Sequence, residues 1–347
     1  MAELFFLDKN LKFASAPVED YTSLTWSPAW LDKGSFSVIG SRELWNIVRQ
    51  GAEFVWLQGR QEIGIIENIA YSGGTCTVSG PFAESMIGWR ILLEERHFRG
   101  IAGNEVIAAL QDNIRGLPLI QKFENSGYSV SVETVQERGT PLDEAFQSIL
   151  RPLGMSYAVK YSGGRELTFS IVRGKDRTRE QTDNSWAIFS ESFENISSCT
   201  YERNRNNYRN AATAYAEYNG TIVHETVNRS GNEMMREGAF WAEIDPEEMT
   251  ESEFRTVLYQ RAVEFLEEFS GEEEITGEAE GESLVPGKDY DIGDMVEVVM
   301  EDIGYSKTVR VTGIDIVVER GKERYIPKFG QEQVGIKALI RREMKRI

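Results

Sequence analysis

A chain of 347 residues exceeds one ordinary hydrophobic core and predicts two or three domains. Its formal net charge of −18 lacks the basic footprint that phosphate neutralisation needs and argues against ordinary nucleic-acid binding, although an acidic channel wall would let DNA slide past without sticking. No apolar run is long enough to span a membrane, the start MAELFFLDKNLKFASAP is too short and charged for a secretory signal, and cytosolic synthesis without a membrane anchor is expected.

Residues 1–95 read mostly as strand. Phe36-Ser37-Val38-Ile39 alternates, Phe54–Leu57 and Ile63–Ile66 are short apolar runs, and Gly73-Gly74 turns the chain before Thr75–Val78. Leu44, Ile47 and Val48 share one face of a short helix over 42–48. A small barrel with a helix at its mouth is the expected sum. Cys76 reads as a small buried apolar side chain and Cys199 sits in a similar setting; with only His97 and His224 to join them, no zinc site is expected.

A composition shift after Arg96 opens an α+β lobe over 96–184. Val106, Ile107, Leu110 and Ile114 fall at helical spacing. A second helix is marked by Thr140 as cap, Pro141 at the first position and Gly154 at the close, with Leu142, Phe146, Ile149, Leu150 and Leu153 as its apolar stripe. Strands are predicted at 128–135, 156–161 and 166–172 around the turn 162–165. The polar, aperiodic GKDRTREQTDN from Gly174 to Asn184 reads as a crossing loop or linker.

Strands resume at 196–201, 211–218 and 221–227. Thr250 and Glu253 have capping-box spacing, and Phe254, Val257, Leu258, Ala262, Phe265 and Phe269 form the buried face of the helix that follows. Glu264, Glu267 and Glu268 read as its solvated edge. Ile275–Gly281 alternates but is poor in apolar groups, as in an edge strand, a partner contact or a channel wall; Glu278 and Glu280 are the expected wall residues. In Tyr290-Asp291-Ile292-Gly293-Asp294 a glycine able to take positive φ leads into Met295–Val299, followed by Thr308–Thr312 and Ile314–Val318, a meander curling into a small barrel. Residues 333–347 read as a short basic amphipathic helix that docks on an acidic neighbour, on another subunit or on its own domain.

This meander resembles the C-terminal barrel of the tail hub, or baseplate hub, proteins of long-tailed bacteriophages, in which a dY.IGD.V.V entry precedes a strand ending in RVT.I. Tyr290, Ile292, Gly293, Asp294, Val296, Val298, Arg310, Val311, Thr312, Ile314, Phe329 and Gly330 carry the resemblance. Asn207-Tyr208-Arg209-Asn210-Ala211 adds a short Y.N entry, which in that family starts a strand returning to the first barrel. The resemblance implies a β-rich α+β chain of two small related β-barrel domains with an inserted α+β lobe. Residues 1–95 with about 185–230 would form a discontinuous first barrel, 96–184 the insertion and linker, 231–332 a helix plus the second barrel, and 333–347 the terminal helix. An internal echo agrees: Gly51–Leu57 resembles Gly293–Val299, and Glu62–Ile69 resembles Thr308–Ile316.

Catalysis needs a nucleophile with its base and orienting group, or a metal with an open site, and the sequence supplies no GxSxG, HExxH or P-loop spacing. No catalytic residue, metal, cofactor or appended hydrolase is expected. The resemblance implies a homotrimeric structural protein of the virion, assembled in the host cytoplasm. It would join the tail tube, through a distal tail protein, to a central fibre or spike, and form a channel for tape-measure protein and for DNA in transit. Two rivals stand beside this reading. One is a tail-tip peptidoglycan hydrolase working through a carboxylate pair; the other is a host-surface carbohydrate-binding module built on Trp26, Trp30, Trp45 and Trp56.

Overall fold

The computed structural model describes residues 3–246, 249–279, 284–319 and 321–330, so Glu280 and the predicted basic helix over 333–347 lie outside the described residues. Apolar alternation is most sustained in Tyr305–Glu319, where Val309, Val311, Ile314, Ile316 and Val318 point into the core. Two strands were expected here, one on each side of Gly313. The chain instead passes through Gly313 as one fifteen-residue strand with a register shift between Val311 and Gly313, an irregularity that a residue without a side chain accommodates.

Everything else in the main sheet is arranged around this strand. Its first part pairs with Met295–Met300, its second part with Lys322–Gly330, and its far end with Tyr21–Ser27, where Ile316 faces Trp26. Through that last ladder Ser35–Gly40, Thr75–Pro81 and Asn68–Ser72 join Glu272–Ala279 and Ile196–Asn204 in a single ten-stranded sheet. Trp26, Val38, Val78, Phe189, Tyr290 and Phe329 share its core. No ladder among the described residues closes into a barrel. The path from Ile188–Ser190 to Ile196–Asn204 nevertheless curls until its two ends meet at Asn195, whose side chain accepts from Ser190 N at 2.9 Å and donates to Ile188 O at 2.8 Å. The two echoed segments each form an antiparallel hairpin, Phe54–Leu57 with Ile63–Ile65 and Met295–Met300 with Tyr305–Arg310.

Two further packing units sit beside this sheet. Helices Ala102–Asn113 and Leu142–Leu150 cover Met155–Lys160, Leu167–Arg173 and Ile120–Glu124, with Phe146 edge-on to Tyr157 and Phe169. Thr140 does not cap the second helix. Its carbonyl is taken by Leu92 N, and extended Pro141 is the residue before the helix, because the chain enters as a bridge against Ile91. In the other unit Thr221–Asn228, Ala211–Tyr218 and Glu237–Trp241 form a three-stranded sheet whose Ala212, Ala214 and Ala216 pack against helix Glu251–Glu268.

Thr250 and Glu253 complete the expected capping box of that helix. Glu264, by contrast, is not on a solvated edge. Thr134 Oγ1 donates to it at 3.1 Å, and burial pushes its carboxyl up while Arg261 opposes the shift. Glu272–Ala279 is not an edge strand either, since Ile196–Asn204 and Lys322–Gly330 pair with it on its two sides.

Candidate functional site

The residues of the meander's entry converge on one buried junction. Gly293 holds φ at +90°, and a Cβ there would lie 2.2 Å from the Trp30 ring, so both its conformation and its contact require glycine. Its carbonyl accepts from Arg310 Nη1 at 2.6 Å, and the Arg310 guanidinium stands 5.2 Å from the Trp30 ring centroid. Trp30 N donates to Thr312 O at 2.8 Å, and Thr312 Oγ1 donates to Lys328 O at 3.2 Å.

Asp294 is the centre of this arrangement. Its Oδ2 accepts from Arg177 Nε at 2.6 Å and from Asp291 N at 3.0 Å, while Oδ1 accepts from Lys175 N at 2.6 Å. The two side chains are only 7% and 4% exposed, and Arg177 Nη1 reaches on to Ser185 Oγ at 2.8 Å. Gly174 is pressed so closely onto the Gly293 carbonyl that a Cβ would lie 1.7 Å from its oxygen. The expected crossing loop is therefore a packed strap: Met295 N donates to Lys175 O, Arg177 N to Met295 O, and Glu297 N to Ala187 O. Arg179 extends it, and its hydrogen bond to Glu297 holds that carboxyl below the usual range.

On the inner side Phe189 meets Tyr290 edge-on at 5.0 Å and Phe329 at 4.7 Å. Val296 is fully buried, Ile292 touches both large cores, and Gly330 pairs with Glu274 and Arg310. Lys175 and Arg177 were not singled out in the sequence, and Trp30 was singled out only as a sugar-stacking residue. A lone arginine in a polar run carries no signal until the fold brings a carboxylate to it. Glu278 lies away from the junction, 33% exposed, with Arg324 Nη1 at 3.3 Å.

None of this is catalytic geometry. Asp294 is saturated by donors, and among the described residues no group of three or more His, Cys, Asp or Glu is placed to hold a metal ion. The tryptophans of the sugar-binding reading do not form a platform. Trp26 and Trp30 are core residues, Trp56 stands edge-on to Tyr161 with its indole N–H on Arg60 O, and Trp45 lies against Tyr71. Cys76 is buried as expected; Cys199 is half-buried, and burial pushes its thiol up to about 11.

The most perturbed carboxyl is that of Glu84, where burial outweighs a hydrogen bond from Val159 N at 2.9 Å and pushes the pKa up to about 7. Because the folded chain holds this proton more tightly, the stability it contributes is complete below pH 4.5 and is lost as pH rises through about 7. Glu84→Gln, a mimic of the protonated acid, is expected to match the parent near pH 4 and to exceed its stability by about 3 kcal/mol at pH 8, read by urea denaturation at both pH values. At the junction, Asp294→Ala strands the Arg177 guanidinium in the interior and is expected to destabilise by about 3–5 kcal/mol, while adding Arg177→Met recovers part of the loss. An additive double variant in the same denaturation assay is the contrary result.

The fold is shared with solved tail proteins across nearly their whole lengths. The tail protein from Neisseria meningitidis MC58 superimposes with a TM-score of 0.64 at 13% identity, covering 95% of this chain and 97% of that one. The 43 kDa tail protein of prophage MuSo2 from Shewanella oneidensis gives 0.60 at 12% identity, with 95% and 98% covered. Prophage tail protein gp18 from Listeria monocytogenes EGD-e gives 0.55 at 11% identity, with 99% and 98% covered. At these identities the likeness concerns the fold. No curated protein sequence matches the chain. The sequence itself matches a family model over residues 3–331, and on that match the chain belongs to the Siphovirus ReqiPepy6 Gp37-like protein family.

Proposed function

We propose that this protein is a structural hub subunit of the tail tip or baseplate of a long-tailed phage or prophage-derived particle. The observation that carries the reading is a fold shared over at least 95% of this chain with three tail proteins. Family membership over residues 3–331 supports it independently. In this reading three copies form a closed ring that joins the tail tube and a distal tail protein to a central fibre or spike. The two echoed hairpins are, in this reading, the counterparts of two related barrel domains. Three chains with two such modules present six similar faces, which is how a trimer matches a six-fold tube without an unsatisfied interface.

The main sheet suits a mechanical role because its N-terminal and C-terminal strands are hydrogen-bonded to each other through Ile316–Glu319. In the same proposal Glu278 belongs to an acidic channel wall. Glu274 and Glu278 are four residues apart on one face of Glu272–Ala279, and Glu202 stands directly opposite Glu274. Such a face repels phosphate and keeps DNA, or tape-measure protein leaving ahead of it, from adhering.

Light scattering followed by negative-stain averaging is expected to give a trimeric ring with a six-fold outline. A protein that stays monomeric at high concentration and within isolated particles would falsify the hub reading. Within assembled particles, Glu278→Lys combined with Glu280→Lys is expected to slow DNA ejection several-fold while leaving particle yield unchanged; unaltered ejection kinetics remove these residues from the channel wall.

A further inference from the structure

A cleft of about 560 Å³ opens between helix Leu142–Leu150 and the C-terminal half of helix Glu251–Glu268, beside the place where their two packing units touch. That contact is direct: Thr134 Oγ1 donates to Glu264 at 3.1 Å, and Arg261 lies 3.6 Å from Glu137. The volume is that of a small-molecule site, for which roughly 300–1,000 Å³ is usual. Its floor is apolar, formed by Leu31, Phe240 and Phe265, with the two phenylalanine rings stacked 4.8 Å apart. Trp241, 52% exposed, stands at the mouth.

Charge selects what such a space accepts. Eight carboxylate side chains line the cleft against Lys33, Arg151 and Arg261, and two of these cations are already engaged, Lys33 with Asp143 at 2.9 Å and Arg261 with Glu264 at 3.3 Å. Glu264, Glu267 and Glu268 stand near the C-terminal end of helix Glu251–Glu268, the negative end of its dipole, and the last turn of that helix holds no basic residue. A cation in the cleft relieves the repulsion there.

A second, independent observation asks for a hydrogen-bond donor. Gln136 lines the cleft while only 5% exposed; its Nε2 donates to Ser148 Oγ at 3.0 Å, and its Oε1 accepts no hydrogen bond from any described residue. A buried amide oxygen without a protein donor, set among carboxylates, suits a ligand rich in N–H groups. Gln136 lies inward and Glu243 is exposed at the rim, so one ammonium on a single stem meets only one of the two levels.

We propose that this cleft binds a linear aliphatic polyamine, whose methylene chain lies on Phe240 and Phe265 while its ammonium groups donate to Gln136 Oε1 and to the carboxylates of the rim. The Trp241 indole adds an aromatic face that attracts an ammonium at the mouth. The site goes beyond the hub reading, since it belongs to one chain whatever its oligomeric state.

Calorimetric titration of the full-length protein with spermidine tests the proposal, at physiological ionic strength so that diffuse attraction to an acidic chain is screened. One saturable site per chain is expected. Gln136→Leu and, separately, Glu243→Gln are each expected to weaken binding several-fold; the second changes an exposed side chain and leaves the fold intact. Glu217→Gln, which removes the same charge from an exposed position outside the cleft, is expected to leave the affinity unchanged. Nα-acetyl-lysine methylamide, with one ammonium on one stem, is expected to bind far more weakly than spermidine. Equal affinity for the two would assign the cleft to a single basic side chain of a partner and overturn the polyamine assignment. Heats that never saturate, or a loss on Glu217→Gln equal to that on Glu243→Gln, would overturn it as well.

Discussion

The buried ion pair between Asp294 and Arg177 is the constraint on which the rest of this molecule depends. A carboxylate and a guanidinium removed from water need further hydrogen bonds beside their own contact, and here Lys175 N and Asp291 N donate to the carboxylate while Ser185 Oγ accepts from the guanidinium. The pair ties the end of the middle lobe to the start of the C-terminal meander. It thereby fixes where Gly174 crosses Gly293; that close backbone approach excludes a side chain at Gly174, and the Trp30 ring with a positive φ excludes one at Gly293. Trp30 and Arg310 close the other side of Gly293, so three distant parts of the chain are locked within one small volume.

From this junction the sheet extends in both directions. Tyr305–Glu319 takes partners on both sides, and its far end recruits the N-terminal strands through Tyr21–Ser27. The consequence is a ten-stranded sheet that draws on both ends of the chain, with Asn195 bridging by side chain a gap that no ladder spans.

Legibility varied with the range of the interaction concerned. The helix Glu251–Glu268, with its capping box and its phenylalanine stripe, was readable because its signals lie within a few residues of each other. The same holds for the helix over 42–48 and for Phe54–Leu57. Strands with weak alternation were not read, among them Asn68–Ser72, which is exposed along its whole length, and Glu237–Trp241, which joins its sheet in parallel. Glu264 was misplaced because helical spacing assigns a face to a residue but does not say which neighbour covers that face.

By itself the sequence determined the periodicities, the caps and the motif from Tyr290 to Asp294, since these depend on backbone sterics and on side chains close along the chain. Only the tertiary structure decided that Arg177 answers Asp294, that Trp30 seals Gly293, and that the first strands pair with one of the last. Alternation states that a strand has a buried face and leaves its partner open. The choice is made by which of several compatible surfaces buries the most apolar area without stranding a polar group, a property of the assembled core that no local segment carries.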